Sequence, residues 1–350
     1  MDKELRDLLL LSGISGYEND IRNYIKEYSK KLKNYQIEYD NLGSIFLVKK
    51  SSEADAKTIL VAGHMDEVGL MVVEISETGL LKLNPIGGLV RETLTSQVLN
   101  VFTDNGVISG VVPSIPTHLS SLYQSSSEIY LDIGAKSKEE AINAGVRLGN
   151  MVTFRPEIIS TINKSRFISK AIDNRFGCAL ALIAAKKFDQ IDLPYNLIIG
   201  ATVLEEVGLR GASTATKKFK PDCFIALDSS PVNDSLDNNS MAKLGEGFLI
   251  RMIDPRNIML KGLYEYFITL AKKKKIKHQH YVAKGGTDAA EALVSNDGVL
   301  ATTIGLPARY IHSNAALFDI RDIEEAKKML FALLKSLDNK VIEKIKNVNQ

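Results

Sequence analysis

Tryptophan is absent from the 350-residue sequence, cysteine occurs twice and histidine five times. The two cysteines, Cys178 and Cys223, sit in apolar surroundings and outside any Cys-x-x-Cys spacing. That excludes a disulfide framework and fits buried thiols of a reducing compartment. No apolar run approaches the roughly 20 residues of a membrane helix, and residues 8–11 are too short for a signal core. A cytoplasmic protein is expected. An excess of one charge is missing too: Lys+Arg 44 against Asp+Glu 42 leaves +2, so no global field draws nucleic acid or membrane. The basic cluster 272–275 follows a periodic segment over 259–271 and reads as cations closing a helix. With 45% hydrophobic and 25% charged residues, the composition is that of a soluble globular enzyme. The length suits one large domain or a domain with an insertion.

Helical periodicity marks 2–11 and 18–32, split by the breaker Ser12-Gly13-Ile14-Ser15-Gly16. Strands are predicted over 43–48 and 58–62, the second apolar enough to be central. From Gly69 to about Glu157 the texture changes to short β-type runs at 70–75, 80–83, 97–102, 107–112, 129–133 and 151–154. Gly, Pro and Asn-Gly turns punctuate them, with one helix at 138–144. This is an inserted all-β domain. Helix 173–188, strands 197–204 and 224–227, helix 259–275, a helix opened by Gly285-Gly286-Thr287-Asp288 and running through Leu293, strand 299–305 and helix 323–337 follow. The expected fold is α/β, a central mixed sheet flanked by helices.

Strand 197–204 runs into Glu205-Glu206, then Gly208 and Gly211. In an open α/β sheet the carboxyl ends of the strands border the ligand crevice. Neighbouring strand residues point in opposite directions, so the two acids need not share a role. One can hold a metal while the other stays a base, although a solvated turn is the commoner fate of such a pair. Other residues decide between these. His64 follows strand 58–62, and Asp66 shares its face by period two, placed to receive the other ring N–H of a metal-bound histidine. His312 also follows a β-rich run. His278 and His280 read as surface or strand-face residues, and the role of His118 is undecided. Asp228 closes strand 224–227, and Asp173 starts a helix, where capping is the ordinary role. Two histidines and up to four carboxylates therefore meet at one rim. Such hard N/O ligands suit Zn, Mn or Co, and a pair of ions about 3.5–4 Å apart would activate a shared water. A dinuclear hydrolase is the sharpest reading.

Several motifs extend it: Gly13-Ile14-Ser15-Gly16-Tyr17-Glu18, Asp40-Asn41-Leu42-Gly43, Gly63-His64-Met65-Asp66-Glu67-Val68-Gly69 and Pro85-Ile86-Gly87-Gly88. Asp132-Ile133-Gly134-Ala135-Lys136-Ser137, Lys170-Ala171-Ile172-Asp173-Asn174-Arg175 and Glu205-Glu206-Val207-Gly208-Leu209-Arg210-Gly211 follow. Ala226-Leu227-Asp228, Gly285-Gly286-Thr287-Asp288-Ala289 and Arg309-Tyr310-Ile311-His312-Ser313 complete the series. In this order the chain resembles, nearly end to end, the tetrahedral metalloaminopeptidases, which include glutamyl and deblocking aminopeptidases. The resemblance implies two divalent metal ions per subunit, zinc first, with cobalt or manganese as alternatives. Asp173 would bridge them, His64 and Asp228 hold one, and Glu206 and His312 the other. Glu205 would be the general base, Asp66 the orienter of His64, and the Asp173–Asn174 peptide cis. Gly286, Thr287 and Asp288 are expected at the substrate site.

By the same resemblance, residues 1–68 and 160–350 form the catalytic domain and 69–159 a dimerisation domain. Substrates are peptides with a free N-terminus, bound in part by one metal on the α-amine. The assembly is a homo-oligomer, a dodecamer built from dimers. The chain departs from the family at Leu89-Val90-Arg91-Glu92-Thr93, where a Trp-Asp is usual, and at Ser313-Asn314-Ala315-Ala316, which lacks an acid. Both leave substrate preference and oligomer contacts open. A metal-dependent deacylase or amidohydrolase is the alternative enzyme. A catalytically silent peptide-binding scaffold is the alternative outside catalysis. The endoglucanase label used for some relatives is set aside, since glycoside hydrolysis ordinarily uses two carboxylates and no metal.

Overall fold

Four apolar runs, Thr58–His64, Asn196–Thr202, Cys223–Pro231 and Leu300–Arg309, lie side by side and parallel at the centre of a twelve-stranded sheet. The computed structural model describes residues 1–116, 118 and 128–349. Alternation along these strands sorts their side chains to two faces. Ile59 and Val61 join the large core with the helices Lys3–Leu9, Ile172–Phe188, Lys261–Lys274 and Ile320–Ser336. Leu60 and Ala62 join Ala212, Ala215, Ala289 and Ala292 of the helices Arg210–Phe219 and Asp288–Leu293 on the opposite face. A sheet buried on both faces is what continuous apolar runs require. Antiparallel strands border it, among them Ile45–Lys49 against Asn196–Thr202 and Phe248–Asp254 against Leu300–Arg309, so the sheet is mixed, as expected.

Parallel register brings the functional ends together. Thr202 pairs with His64, and Ala226 with Ala62. The helix Ile172–Phe188 seats directly on the strand carrying His64: a Cβ on Gly63 would lie 2.5 Å from the Gly177 carbonyl carbon, and one on Gly177 2.2 Å from the Leu227 oxygen. This close approach carries Asp173 over the strand ends.

Among the described residues, a second, wholly antiparallel sheet of six strands takes the order Gly106–Val111, Val98–Thr103, Met151–Phe154, Gly69–Ile75, Leu81–Ile86, Ile129–Leu131. It has its own core, including Leu70, Leu81, Leu99 and Phe154, closed in part by Ala141 of the helix Lys138–Asn143. Ile158–Ser160 already belongs to the main sheet.

Some elements differ from expectation. Asp228 does not close its strand: the ladder with Leu300–Arg309 continues to Pro231 opposite Ala308, so Asp228 projects from within it. Gln36–Tyr39, Arg166–Ser169, Phe248–Asp254 and Ala316–Asp319 are further strands, and Asn339–Asn347 a further helix. Arg210–Phe219 escapes an apolar-periodicity reading because small residues, Ala212 and Ala215, make its buried stripe. His278 and His280 lie on the strand His278–Val282, where His280 Nε2 is 3.0 Å from Tyr264 Oη, and His118 is exposed.

Candidate active site

The site is built where the central strands end. His64 Nδ1 lies 3.0 Å from the Asp66 carbonyl oxygen, and His312 Nδ1 3.1 Å from the carbonyl of Gly88. A ring that donates Nδ1–H to a carbonyl presents the lone pair of Nε2, the tautomer a metal ligand needs. The two Nε2 atoms face different oxygens of the same carboxylate. His64 Nε2 is 3.3 Å from Asp173 Oδ1, and His312 Nε2 is 3.3 Å from Asp173 Oδ2. Around His64 stand Asp228 Oδ1 at 3.5 Å and Glu205 Oε2 at 3.8 Å; beside His312 stands Glu206 Oε2 at 3.5 Å. Asp173 is fixed through its neighbour. Asn174 Nδ2 donates to the Leu227 carbonyl at 2.7 Å and its Oδ1 accepts from the Gly177 amide at 2.9 Å. The Asp173–Asn174 peptide is cis, as the resemblance implied.

Asp66 is placed differently from expectation. Its carbonyl, not its carboxylate, makes the close contact to His64 Nδ1; the carboxylate stands 3.6 Å away. The two oxygens instead accept from the Glu205 and Glu206 amides at 3.1 and 3.0 Å, and from Ser15 Oγ at 2.6 Å. Asp66 thus ties the histidine strand to the Glu205-Glu206 turn. Behind it is a buried cluster that motif reading left without a role. Glu67 accepts from Lys170 Nζ at 2.7 Å and from Arg175 at 3.1 Å, and Arg175 also donates to the Met65 carbonyl. The detectable signal was charge inside apolar motifs, since buried charges are paired.

The residues expected at the substrate site part company. Gly286 lines a cavity of about 370 Å³ that opens over the cluster, together with Leu209, Arg251, Arg256 and Ile311. Thr287 and Asp288 do not. Both are buried behind the wall, Thr287 Oγ1 at 2.8 Å from Thr303 Oγ1 and Asp288 Oδ2 accepting from Thr202 Oγ1 at 2.5 Å. Their chain direction follows from the turn into the helix Asp288–Leu293, which aims them at the sheet. A larger cavity, about 710 Å³ between the two sheets, holds none of the clustered residues.

Crowded carboxylates raise one another's pKa. Burial and then neighbouring acids push Glu205 well above the usual carboxylate range, and burial with Asp173 pushes Glu206 to about 8. Burial opposes charge on the histidines, yet surrounding carboxylates win, raising His64 and bringing His312 to about 9. Burial opposes charge on Asp173 as well, but His312 and His64 hold it low. Glu206 Oε1 is buried without a hydrogen-bond partner. An orphaned carboxyl oxygen, clustered acids and two presented Nε2 atoms fit a cation. The groups His64, Asp173, Glu206 and His64, Glu205, Asp228 each bring ligand atoms within 4.8 Å of one another and can hold a metal ion.

Glu206, His64 and His312 must lose protons to become ligands, and their raised pKa values keep them protonated near neutrality in protein stripped of metal. Divalent ion added to chelator-treated protein is therefore expected to release protons, with affinity rising from pH 6 towards about 8–9. Calorimetry in buffers of different ionisation enthalpy measures the release; binding without proton release or pH dependence would contradict these shifts.

The parallel central strands and the start of the helix Ile172–Phe188 gather two histidines and four acids on one cavity, a donor set able to hold metal ions on an α/β scaffold. A family model for M42 glutamyl aminopeptidase matches residues 43–329. The glutamyl aminopeptidase of Lactococcus lactis subsp. cremoris is 40% identical over 98% of this chain and 98% of its own. The lysyl aminopeptidase of Pyrococcus furiosus is 33% identical over 96% and 98%. The solved TET1 peptidase of Pyrococcus horikoshii, which can assemble into a tetrahedron or a large octahedral shell, superposes with a TM-score of 0.85. It is 30% identical and the match covers 96% of this chain and 99% of that one. The chain belongs to the M42 glutamyl aminopeptidase family, and it is a peptide-bond hydrolase of the aminopeptidase type.

Proposed function

We propose that the protein removes N-terminal residues from peptides at a dinuclear metal site, with Glu205 as general base. The observation that carries this reading is Asp173, whose two oxygens each face a different histidine at 3.3 Å. His64 and Asp228 would hold one ion, His312 and Glu206 the other, and Asp173 both. Zinc is the first candidate, and cobalt or manganese suit the same donors. Bound there, divalent ions supply Lewis acidity and lower the pKa of a shared water. Glu205, buried and with a raised pKa, accepts a proton from water and returns it to the leaving amine nitrogen. A free α-amine on the substrate is the expected requirement.

The cavity best suits a substrate whose N-terminal residue is acidic. Two arginines line the cavity. Arg251 is buried and engaged with Ser230 Oγ at 3.2 Å, Asp254 at 3.3 Å and the Gly285 carbonyl. Arg256 is more open, its side chain 56% exposed with Glu291 at 3.3 Å, and can turn to a substrate carboxylate. The family includes lysyl as well as glutamyl enzymes, so the discriminating experiment compares substrates. Release of p-nitroaniline should be faster from the glutamyl than the leucyl anilide. Arg256→Ala should lower kcat/KM for the glutamyl substrate about 10- to 100-fold, the worth of a charged hydrogen bond, and leave the leucyl substrate nearly unchanged. Equal losses would remove Arg256 as the selector, and cleavage of N-acylated substrates alone would favour the deacylase.

We also infer a division of the chain into a catalytic part, 1–68 and 158–350, and a dimerisation part, 69–157, the boundary moved by Ile158–Ser160 lying in the main sheet. The Gly88 carbonyl that orients His312 comes from the second part, so the two are coupled at the site. A cytoplasmic homo-oligomer, a dodecamer assembled from dimers, is the matching assembly. Light scattering tests it.

A further inference from the structure

The motif Gly13–Glu18 reaches the turn that carries Glu205 without contributing a ligand. The Glu18 carboxylate is buried, and its Oε1 accepts from the Gly16 amide at 2.9 Å and the Leu204 amide at 3.2 Å. The next two amides, of Glu205 and Glu206, go to the two oxygens of Asp66. Three consecutive amides therefore end on two buried carboxylates. The same motif steadies the second carboxylate, because Ser15 Oγ donates to Asp66.

Leu204 is where the chain turns out of the strand. Its φ is +57°, in the left-handed region that a non-glycine side chain adopts at a cost. With the strand ladder ended at Thr202, the Leu204 amide has no partner strand to bond, and a buried amide without an acceptor is unfavourable. Glu18 supplies that acceptor. The reversal then closes on itself: the Gly208 and Leu209 amides both donate to the Glu205 carbonyl at 2.9 Å, and Arg210 to the Leu204 carbonyl at 3.2 Å.

We propose that Glu18 is a positioning residue for catalysis, fixing the reversal at Leu204 from which the Glu205 carboxylate projects. The proposal rests on the reading of Glu205 as base. The competing role is purely structural: Glu18 precedes the helix Asn19–Ser29, and its Oε2 is 4.0 Å from Arg22.

The test is a mutant cycle on the metal-loaded enzyme, with rates divided by metal-replete protein. Glu18→Gln keeps a carbonyl oxygen and is expected to keep kcat within about threefold. Glu18→Leu removes the acceptor and should lower kcat about 10- to 100-fold, with KM within about twofold, while the bound metal is retained. In a Glu205→Gln background the same Glu18→Leu change should add less than about twofold, because the group it positions is already lost. If Glu18→Leu fails to fold, Glu18→Asp, too short to reach Leu204, takes its place in the cycle. A folded Glu18→Leu enzyme with unchanged kcat, or losses that multiply in the double mutant, overturns the proposal while Glu205 stands as base. Full activity of Glu205→Gln overturns the base reading and this proposal with it.

Discussion

Glu205→Gln is expected to lower kcat by on the order of 10²–10⁴-fold, the usual worth of a general base, without unfolding the protein or emptying the metal site. Glutamine keeps the size and the amide hydrogen bond to Asp66, but it cannot take a proton from water. Glu205 lies on the His64 side, with Oε2 at 3.8 Å from Nε2, farther than Asp173 at 3.3 Å or Asp228 at 3.5 Å. Its burial among acids raises its pKa, which brings its basicity towards the operating pH. Bound cations oppose that rise, so the working value is set by the balance of the two. Turnover of a glutamyl anilide and thermal melting, measured side by side, test this.

Asp173→Ala should have the other large effect, reducing activity to the level of metal-stripped wild-type protein. Its two oxygens address both histidines, so its loss weakens both halves of the site at once. It also removes one of several carboxylates that favour charge on the two histidines, Glu205 remaining beside His64 and Glu206 beside His312. Asp228→Ala removes a group from the His64 side alone and should spare the ion beside His312. Metal analysis after dialysis separates the cases: neither ion retained for Asp173→Ala, one retained for Asp228→Ala. Two ions retained by Asp173→Ala would contradict the bridging role.

Much of the cluster was legible because polar residues at parallel strand ends leave a one-dimensional trace. Apolar runs that stop on His64, Glu205 and Glu206 already imply a shared rim, and the pairing of Thr202 with His64 realises it. Direction was less legible. Period two placed Asp66 on the His64 face, yet the chain bends after the strand, so the Asp66 carbonyl meets the ring while its carboxylate receives the amides of the next turn. Thr287 and Asp288 sit in a matched motif, but a motif does not say which side of a wall its residues face. Asp228 marks no strand end because register with a neighbouring strand, not local sequence, decides where the ladder stops. The pairing of Glu67 with Lys170 and Arg175 spans more than a hundred residues and has no local signature.

Glu205 and Glu206 are adjacent carboxylates with different proposed work, and both lie close enough to the histidines to serve as ligands. Metal content per chain of Glu205→Gln and Glu206→Gln, each measured after dialysis against limiting metal, addresses this most directly. Glu205→Gln should hold two ions per chain and turn over about 10²–10⁴-fold more slowly, and Glu206→Gln should lose the ion beside His312. Retention of both ions by Glu206→Gln, with loss of one from Glu205→Gln, would reverse the two roles and contradict the mechanism.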